Sequence, residues 1–330
     1  MIGDVVLPDT HPQEWPRIRE ILKRKILATL GTPGAPVPSG KTGYELTGQY
    51  EKNGLTHVTI KYHVIGDEWN EAIALLPPKG TALPAPAVLA IHGTNGAVGK
   101  MDCIEPREGN VEPYAFELAQ RGNVTLAADQ LTFGATIAKK SAQEVSDEFY
   151  KRHPGWTLDG RWVFEQMRML DVMQQLTQWV KPTELGLIGI SLGGRTVIHL
   201  AMLDERVKAT LCASGISPNS TNVYRRITSN AYRNPILAKS ILDSSGQMPW
   251  DYHEVIALCA PRALFLIEPF NDEYNPDVTA TLSCFTSASK VYRLLNHPER
   301  LSILVHGDGH GTQKPVRDMA YDWIDRQLIR

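Results

Sequence analysis

The stretch GLIGISLGGRTV, residues 186–197, sets one serine among four glycines directly behind an apolar run. A serine that precedes a helix ordinarily caps it, its side-chain oxygen accepting a free backbone N–H of the first turn. Gly189 and Gly193 open a second reading. They flank Ser191 at the G-x-S-x-G spacing, where missing Cβ atoms allow a sharp strand-to-helix turn that leaves the serine Oγ exposed. The surroundings suit such a turn, since Leu185 to Ile190 reads as a short buried strand and Arg195 to Leu203 as a helix. Whether Ser191 is a cap or a nucleophile is for the rest of the chain to decide.

Outward from this elbow, the pattern from Ala85 onward is one of short apolar strands alternating with helices. The strands are predicted at Ala87 to His92, Val124 to Ala128, Leu185 to Ile190, Val207 to Ala213, Ala263 to Ile267 and Leu301 to Val305. Helices are predicted at Glu112 to Arg121, closed by Gly122, and at Arg161 to Val180, with Trp162, Met169, Met173, Leu176 and Val180 on one stripe. Strands that are apolar throughout and separated by helices imply an α/β fold with a mostly parallel sheet covered on both faces. Ahead of this core, Trp15 to Leu30 has helical spacing and stops before the breaker-rich GTPGAPVPSG. Thr56 to His63 and Glu71 to Leu76 alternate as antiparallel edge strands would. Residues 1–84 are read as an N-terminal extension of the same domain and 85–330 as the catalytic core. The interval 216–256, with Tyr224, Tyr232 and Trp250, is too long for a plain connection and is read as a cap inserted over the strand ends.

A serine hydroxyl is a weak nucleophile until a base takes its proton and an acid holds that base in the right tautomer. Both have candidates downstream. In LSILVHGDGHGTQKPVRDMAYDWIDRQL, His310 lies between Gly309 and Gly311 after the last strand, ahead of a closing helix marked by Val316, Met319, Ala320, Trp323 and Ile324. His306 touches the strand end and is read as structural. In ALFLIEPFNDEYNP, Glu268, Asp272 and Glu273 all lie just beyond one strand. Asp272 is the first choice of acid and Glu268, at the strand exit, the alternative. The tetrahedral intermediate needs N–H donors aimed at its oxyanion. Leu192, following the serine at the helix N-terminus, supplies one, and the loop HGTNG the other, from Thr94 first and Gly93 next.

The bulk numbers fit a small-molecule enzyme. Against 34 Lys plus Arg stand 36 Asp plus Glu, with no basic run, so neither nucleic acid nor an anionic membrane is implied as partner. Apolar residues make up 42% and no run approaches a membrane span. Cys103, Cys212, Cys259 and Cys284 are scattered with no C-x-x-C pair, and Cys212 and Cys259, in apolar stretches, read as buried thiols of a reducing compartment. With no signal-peptide pattern at MIGDVVLPDTHPQEW, the cytoplasm is expected, or secretion if a leader has been trimmed.

Taken together, PAVLAIHGTNG, EPYAFELAQRGNVTLAADQLTFG, GISLGGRTVIHLAMLDERVKA, EVIALCAPRALFLIEPFNDEYNP and the GHG around His310 resemble an α/β-hydrolase of the dienelactone-hydrolase-like and acetyl-xylan-esterase-like branch. The resemblance runs from about Ala85 to the C-terminus. It implies a cofactor-free serine carboxylesterase, with Ser191, Asp272 and His310 on the family triad and the D-E-x-x-P setting of Asp272 at its acid position. A short-acyl ester of a sugar or similar small polar alcohol is the implied substrate, and a peptidase or acyltransferase the alternative. The chain departs from dienelactone hydrolases in having Ser191 where they use cysteine, and from glucuronoyl esterases in having Leu192 where an arginine follows their serine.

Two rival chemistries are weak. APVPSGKT, residues 35–42, fits a relaxed phosphate-loop pattern, but Pro36 and Pro38 have no N–H to offer a nucleotide and no buried strand precedes them. His306 and His310 with Asp308 have a spacing that binds metal only on a helix, which Gly307, Gly309 and Gly311 oppose, so no metal is expected.

Overall fold

Nine strands form a single sheet in the computed structural model, which describes residues 2–33, 41–107, 112–223, 227–228 and 231–329. They are β1 (Tyr44–Lys52), β2 (Leu55–Ile65), β3 (Glu68–Leu76), β4 (Ala85–Ile91), β5 (Val124–Ala128), β6 (Val180–Ile190), β7 (Val207–Ala213), β8 (Ala263–Pro269) and β9 (Leu301–His306). Their order across the sheet is β1-β2-β3-β5-β4-β6-β7-β8-β9. β1, β2, β3 and β5 pair antiparallel, whereas β5, β4 and β6 to β9 pair parallel. The N-terminal extension thus continues the sheet of the core. The strand order reverses direction around β4, and ligands in open α/β sheets gather at the carboxyl ends of strands beside such a point.

Alternate residues of the central strands face opposite layers, which is why both must be apolar. Leu89, Ile91, Leu185 and Leu187 point into a core shared with helices Trp15–Leu30, Leu158–Gln175, Leu192–Leu203, Tyr252–Leu258 and Val278–Leu294. Val88, Ala90 and Ile188 point into the other, covered by helices Tyr114–Gln120 and Lys314–Ile329. Among the described residues no helix is long and apolar enough to cross a membrane. The four cysteines are all buried free thiols.

Several expectations are corrected. Strand β1 carries no apolar alternation because, as the outer edge, nearly all of it is exposed, so it went unread. The helix expected to reach Val180 leaves helical geometry at Leu176, and Val180 opens β6 opposite Ala85, with the Trp179 carbonyl accepting the Ala85 N–H at 2.8 Å. Val180 kept the helical phase of the stripe but is buried by the sheet. Met319 of the closing helix is 45% exposed, and Arg317, Tyr321 and Leu328 take its place in the buried face. The helix expected from Glu112 runs Tyr114–Gln120.

Within the interval 216–256 the described residues form helices Asn219–Asn222 and Pro235–Asp243 and the start of Tyr252–Leu258. Trp250 is buried, its indole N–H donating to Thr29 Oγ1 at 2.7 Å, so this segment rests on the end of the N-terminal helix. Tyr224 lies outside the described residues, as do residues 35–40 of APVPSGKT.

Candidate active site

Ser191 sits at the N-cap position of helix Leu192–Leu203, yet its side chain makes no cap hydrogen bond. Its backbone is at φ 56 and ψ −117, a strained conformation for a residue with a Cβ. The glycines around it serve close packing. A Cβ on Gly193 would overlap the Ile91 carbonyl oxygen, and one on Gly189 would lie 2.5 Å from Gly193 C. The helix therefore begins at Leu192, tight against β4, three residues ahead of the sequence expectation. The Ser191 N–H donates to the Ala213 carbonyl at 2.9 Å, which locks the turn to the end of β7.

His310 and Asp272 meet on the same side of the sheet. His310 Nδ1 is 2.9 Å from both carboxylate oxygens of Asp272, so Nδ1 carries the proton and Nε2 is left to accept one. Asp272 is buried, and burial works to raise its pKa. The His310 imidazole and the N–H groups of Tyr274 and Asn275 outweigh this and hold its carboxyl below the usual 3.8. The Tyr274 N–H donates to Asp272 Oδ1 at 2.7 Å.

The other carboxylates differ. Glu268 is fully buried and accepts the Ile216 N–H at 3.2 Å through Oε1, and burial pushes its carboxyl well above the ordinary range. Its charge is thus disfavoured, and the imidazole spends its Nδ1 on Asp272. Glu273 is exposed. His306 ends β9, its carbonyl accepting the Phe270 N–H at 2.7 Å, with burial lowering its ring pKa.

A cavity of about 300 Å³ brings Ser191, Asp272 and His310 together with Thr94 and Leu192. Gly93 does not line it, but lies behind, where a Cβ would touch the Ser191 Cβ at 3.5 Å. The remaining wall is of mixed polarity and carries Ser214, Ser217, Asn222, Thr228 and Asn275 together with Tyr232, Tyr274 and Arg195.

Of these wall residues the sequence reading singled out only Tyr232, and three of the others make contacts that bear on the triad and its wall. Ser214, at φ 47 just past β7, donates from Oγ to the His310 carbonyl at 2.7 Å. Tyr274 sets its ring edge-on to the imidazole, centroids 4.6 Å apart. Arg195 pairs with Asp159 at 2.8 Å and lies 5.6 Å from the Trp162 ring centroid. Its position four residues after Ser191 was a usable signal, since that spacing puts it one helical turn on, on the same face. Asp159 in turn accepts from Asn234 Nδ2 at 2.9 Å, and the same amide donates to the Thr29 carbonyl, which ties the N-terminal helix to this wall.

Sequence and fold both relate the chain to known proteins. Over 208 residues, 60% of this chain and 64% of the other, it is 29% identical to the Bacillus subtilis protein YtaP. Over 299 residues it is 23% identical to a 4-O-methyl-glucuronoyl methylesterase of Podospora anserina, covering 84% of this chain and 55% of the other. The chain thus spans less than two thirds of the length of both. A solved glucuronoyl esterase from Solibacter usitatus superposes with a TM-score of 0.76 at 17% identity, over 99% of this chain and 97% of its own, which fixes the fold as that of an α/β-hydrolase. Residues 66–296, well over half of the chain, match the family model described as glucuronyl esterase of fungi, and the protein belongs to that family.

Proposed function

We propose that the protein is a serine carboxylic ester hydrolase acting through an acyl-enzyme, with Ser191 as nucleophile, His310 as base and Asp272 as the acid that orients it. The observation that carries this reading is the gathering of those three side chains on one cavity, with His310 Nδ1 engaged by Asp272. His310 Nε2 takes the proton of Ser191 Oγ as that oxygen attacks the ester carbonyl carbon. The main-chain N–H groups of Leu192 and Thr94 receive the resulting oxyanion. Leu192 replaces the arginine expected after a glucuronoyl esterase serine, so the side chain at that position offers no charge to the oxygen. The ester C–O bond then breaks, the leaving alkoxide takes the proton from Nε2, and water repeats the sequence to release the acid and restore Ser191.

The substrate we infer is a sugar-bearing ester. Ser217, Asn222, Thr228 and Asn275 bring hydroxyl and amide groups suited to a polyhydroxylated ring to the cavity wall, beside Tyr232, Tyr274 and the cationic Arg195. The family and the Podospora relative favour the sugar on the acyl side, as in a glucuronate ester. The second reading is a short acyl group on a sugar hydroxyl, favoured by the polar groups of the lining alone. A hydrolysis panel of methyl glucuronate, acetylated sugars, acyl esters of increasing length and an aminoacyl amide tests both. The uronate ester is expected to give the highest kcat/KM. A faster amide would make the protein a peptidase, and a faster acetylated sugar would move the sugar to the leaving group.

A further inference from the structure

The two N–H groups assigned to the oxyanion come from separate segments, Thr94 after β4 and Leu192 at the start of the nucleophile helix. For both to meet one oxygen, the segments must be held in register to a fraction of an ångström. The close approach of Gly193 to the Ile91 and His92 carbonyls brings the two segments together, and hydrogen bonds between them fix how each is turned.

Gln130, in the loop after β5, is fully buried and reaches both segments. Its side-chain Nε2 donates to the His92 carbonyl at 3.1 Å, and its Oε1 accepts the Thr196 hydroxyl at 2.7 Å. That hydroxyl is also 3.0 Å from the Leu192 carbonyl, so its proton is shared between the amide and the residue that donates to the oxyanion. The main-chain N–H of Gln130 donates to His92 Nε2 at 3.1 Å. This makes His92 the neutral tautomer with its proton on Nδ1, and Nδ1 donates to the Gly93 carbonyl at 2.7 Å. The Gly93 carbonyl and the Thr94 N–H are opposite ends of one planar trans peptide, so fixing the first aims the second.

We propose that Gln130 is a positioning residue of the esterase reaction, aligning the Thr94 and Leu192 donors through His92 on one side and Thr196 on the other. This rests on the esterase reading above. It does not touch the cavity, so substrate affinity is left to other residues and the effect falls on the transition state.

The test uses Gln130→Leu, which keeps the volume and removes both side-chain bonds, with Thr196→Val and Thr196→Ser, assayed on the best ester of the panel. Gln130→Leu is expected to lower kcat by about 10- to 100-fold, with KM within about twofold, and to slow fluorophosphonate inactivation by a similar factor. Thr196→Val should lose a comparable factor, Thr196→Ser should stay within about twofold of the parent, and the Gln130→Leu/Thr196→Val pair should be little worse than either alone. Should Gln130→Leu fail to fold, the two Thr196 variants carry the same comparison. Unchanged kcat in a folded variant, a loss confined to KM, or multiplying losses in the pair would overturn the role. Ser191→Ala separates the two claims: turnover in that variant defeats the esterase reading, whereas an inactive Ser191→Ala beside a fully active Gln130→Leu defeats only the positioning role.

Discussion

Replacing Asp272 by asparagine removes a charge and reverses a hydrogen bond at one position. The Tyr274 N–H donates to Oδ1 at 2.7 Å, which keeps the amide oxygen on that side and turns the new NH₂ toward His310 Nδ1. With the NH₂ beside it Nδ1 loses one of its two carboxylate acceptors and is drawn to accept instead, and the tautomer that carries its proton on Nε2 offers no base to Ser191. The lost attraction has a definite scale. Two unit charges 2.9 Å apart at an effective dielectric of about 20 attract by about 6 kcal/mol, and the imidazolium exists only after Ser191 has given up its proton. If most of that is felt in the transition state, kcat falls by about 10⁴-fold, the size seen when a serine-protease aspartate is replaced in this way. Glu268→Gln is the matched control. Burial raises the pKa of that carboxyl, which disfavours its charge, and it already accepts a main-chain N–H, so an amide of the same shape is expected to keep activity within about tenfold. Steady-state hydrolysis with circular dichroism on both variants settles the matter. A folded, active Asp272→Asn beside an inactive Glu268→Gln would refute the assignment and move the acid to Glu268.

Ser191 should be the single site of fluorophosphonate labelling, and mass spectrometry of Ser191→Ala should find the label gone; modification at another serine contradicts the mechanism. Gly193→Ala would drive a methyl into the Ile91 carbonyl, and is expected to cost about 3 kcal/mol in a denaturant melt, because backbone on both sides leaves no room to relax. Burial raises the Glu112 carboxyl to about 7, against the favourable Thr312 N–H and Arg317 beside it. Its protonated form is therefore the one the fold favours. The stability it contributes is complete below about pH 4.5 and is lost as pH rises through about 7, so Glu112→Gln should flatten that part of a Tm-against-pH curve. An unchanged curve would remove Glu112 from the pH response.

What could be read without coordinates was whatever local rules enforce. The short, largely apolar segments Val124–Ala128 and Val207–Ala213, each set between helical patterns, read as strands, and both are strands with those bounds. The helix Trp15–Leu30 announces itself by period and by the breakers behind it. The elbow was legible because its glycines answer a steric demand within a few residues, and Asp272 and His310 because each follows a strand in the chain order the chemistry requires. Strand β1 was not legible, since a sheet edge open to solvent imposes no pattern, and neither was the end of helix Leu158–Gln175, since Val180 suits a helix stripe and a strand equally well.

The sequence by itself determined the class of fold, the glycine-flanked turn at Ser191 and a short set of candidate carboxylates and histidines. Choosing among the carboxylates needed the third dimension, because Glu268 and Asp272 differ in what surrounds them and not in what they are. Around one, burial raises the pKa and disfavours the charge; the other is turned toward an imidazole and main-chain N–H groups that hold its pKa down. The same holds for Arg195, Ser214 and Gln130. Each acts on the site through a partner distant in the chain, Asp159, His310 and His92 respectively, and only packing of the sheet and its helices brings those partners within hydrogen-bonding reach.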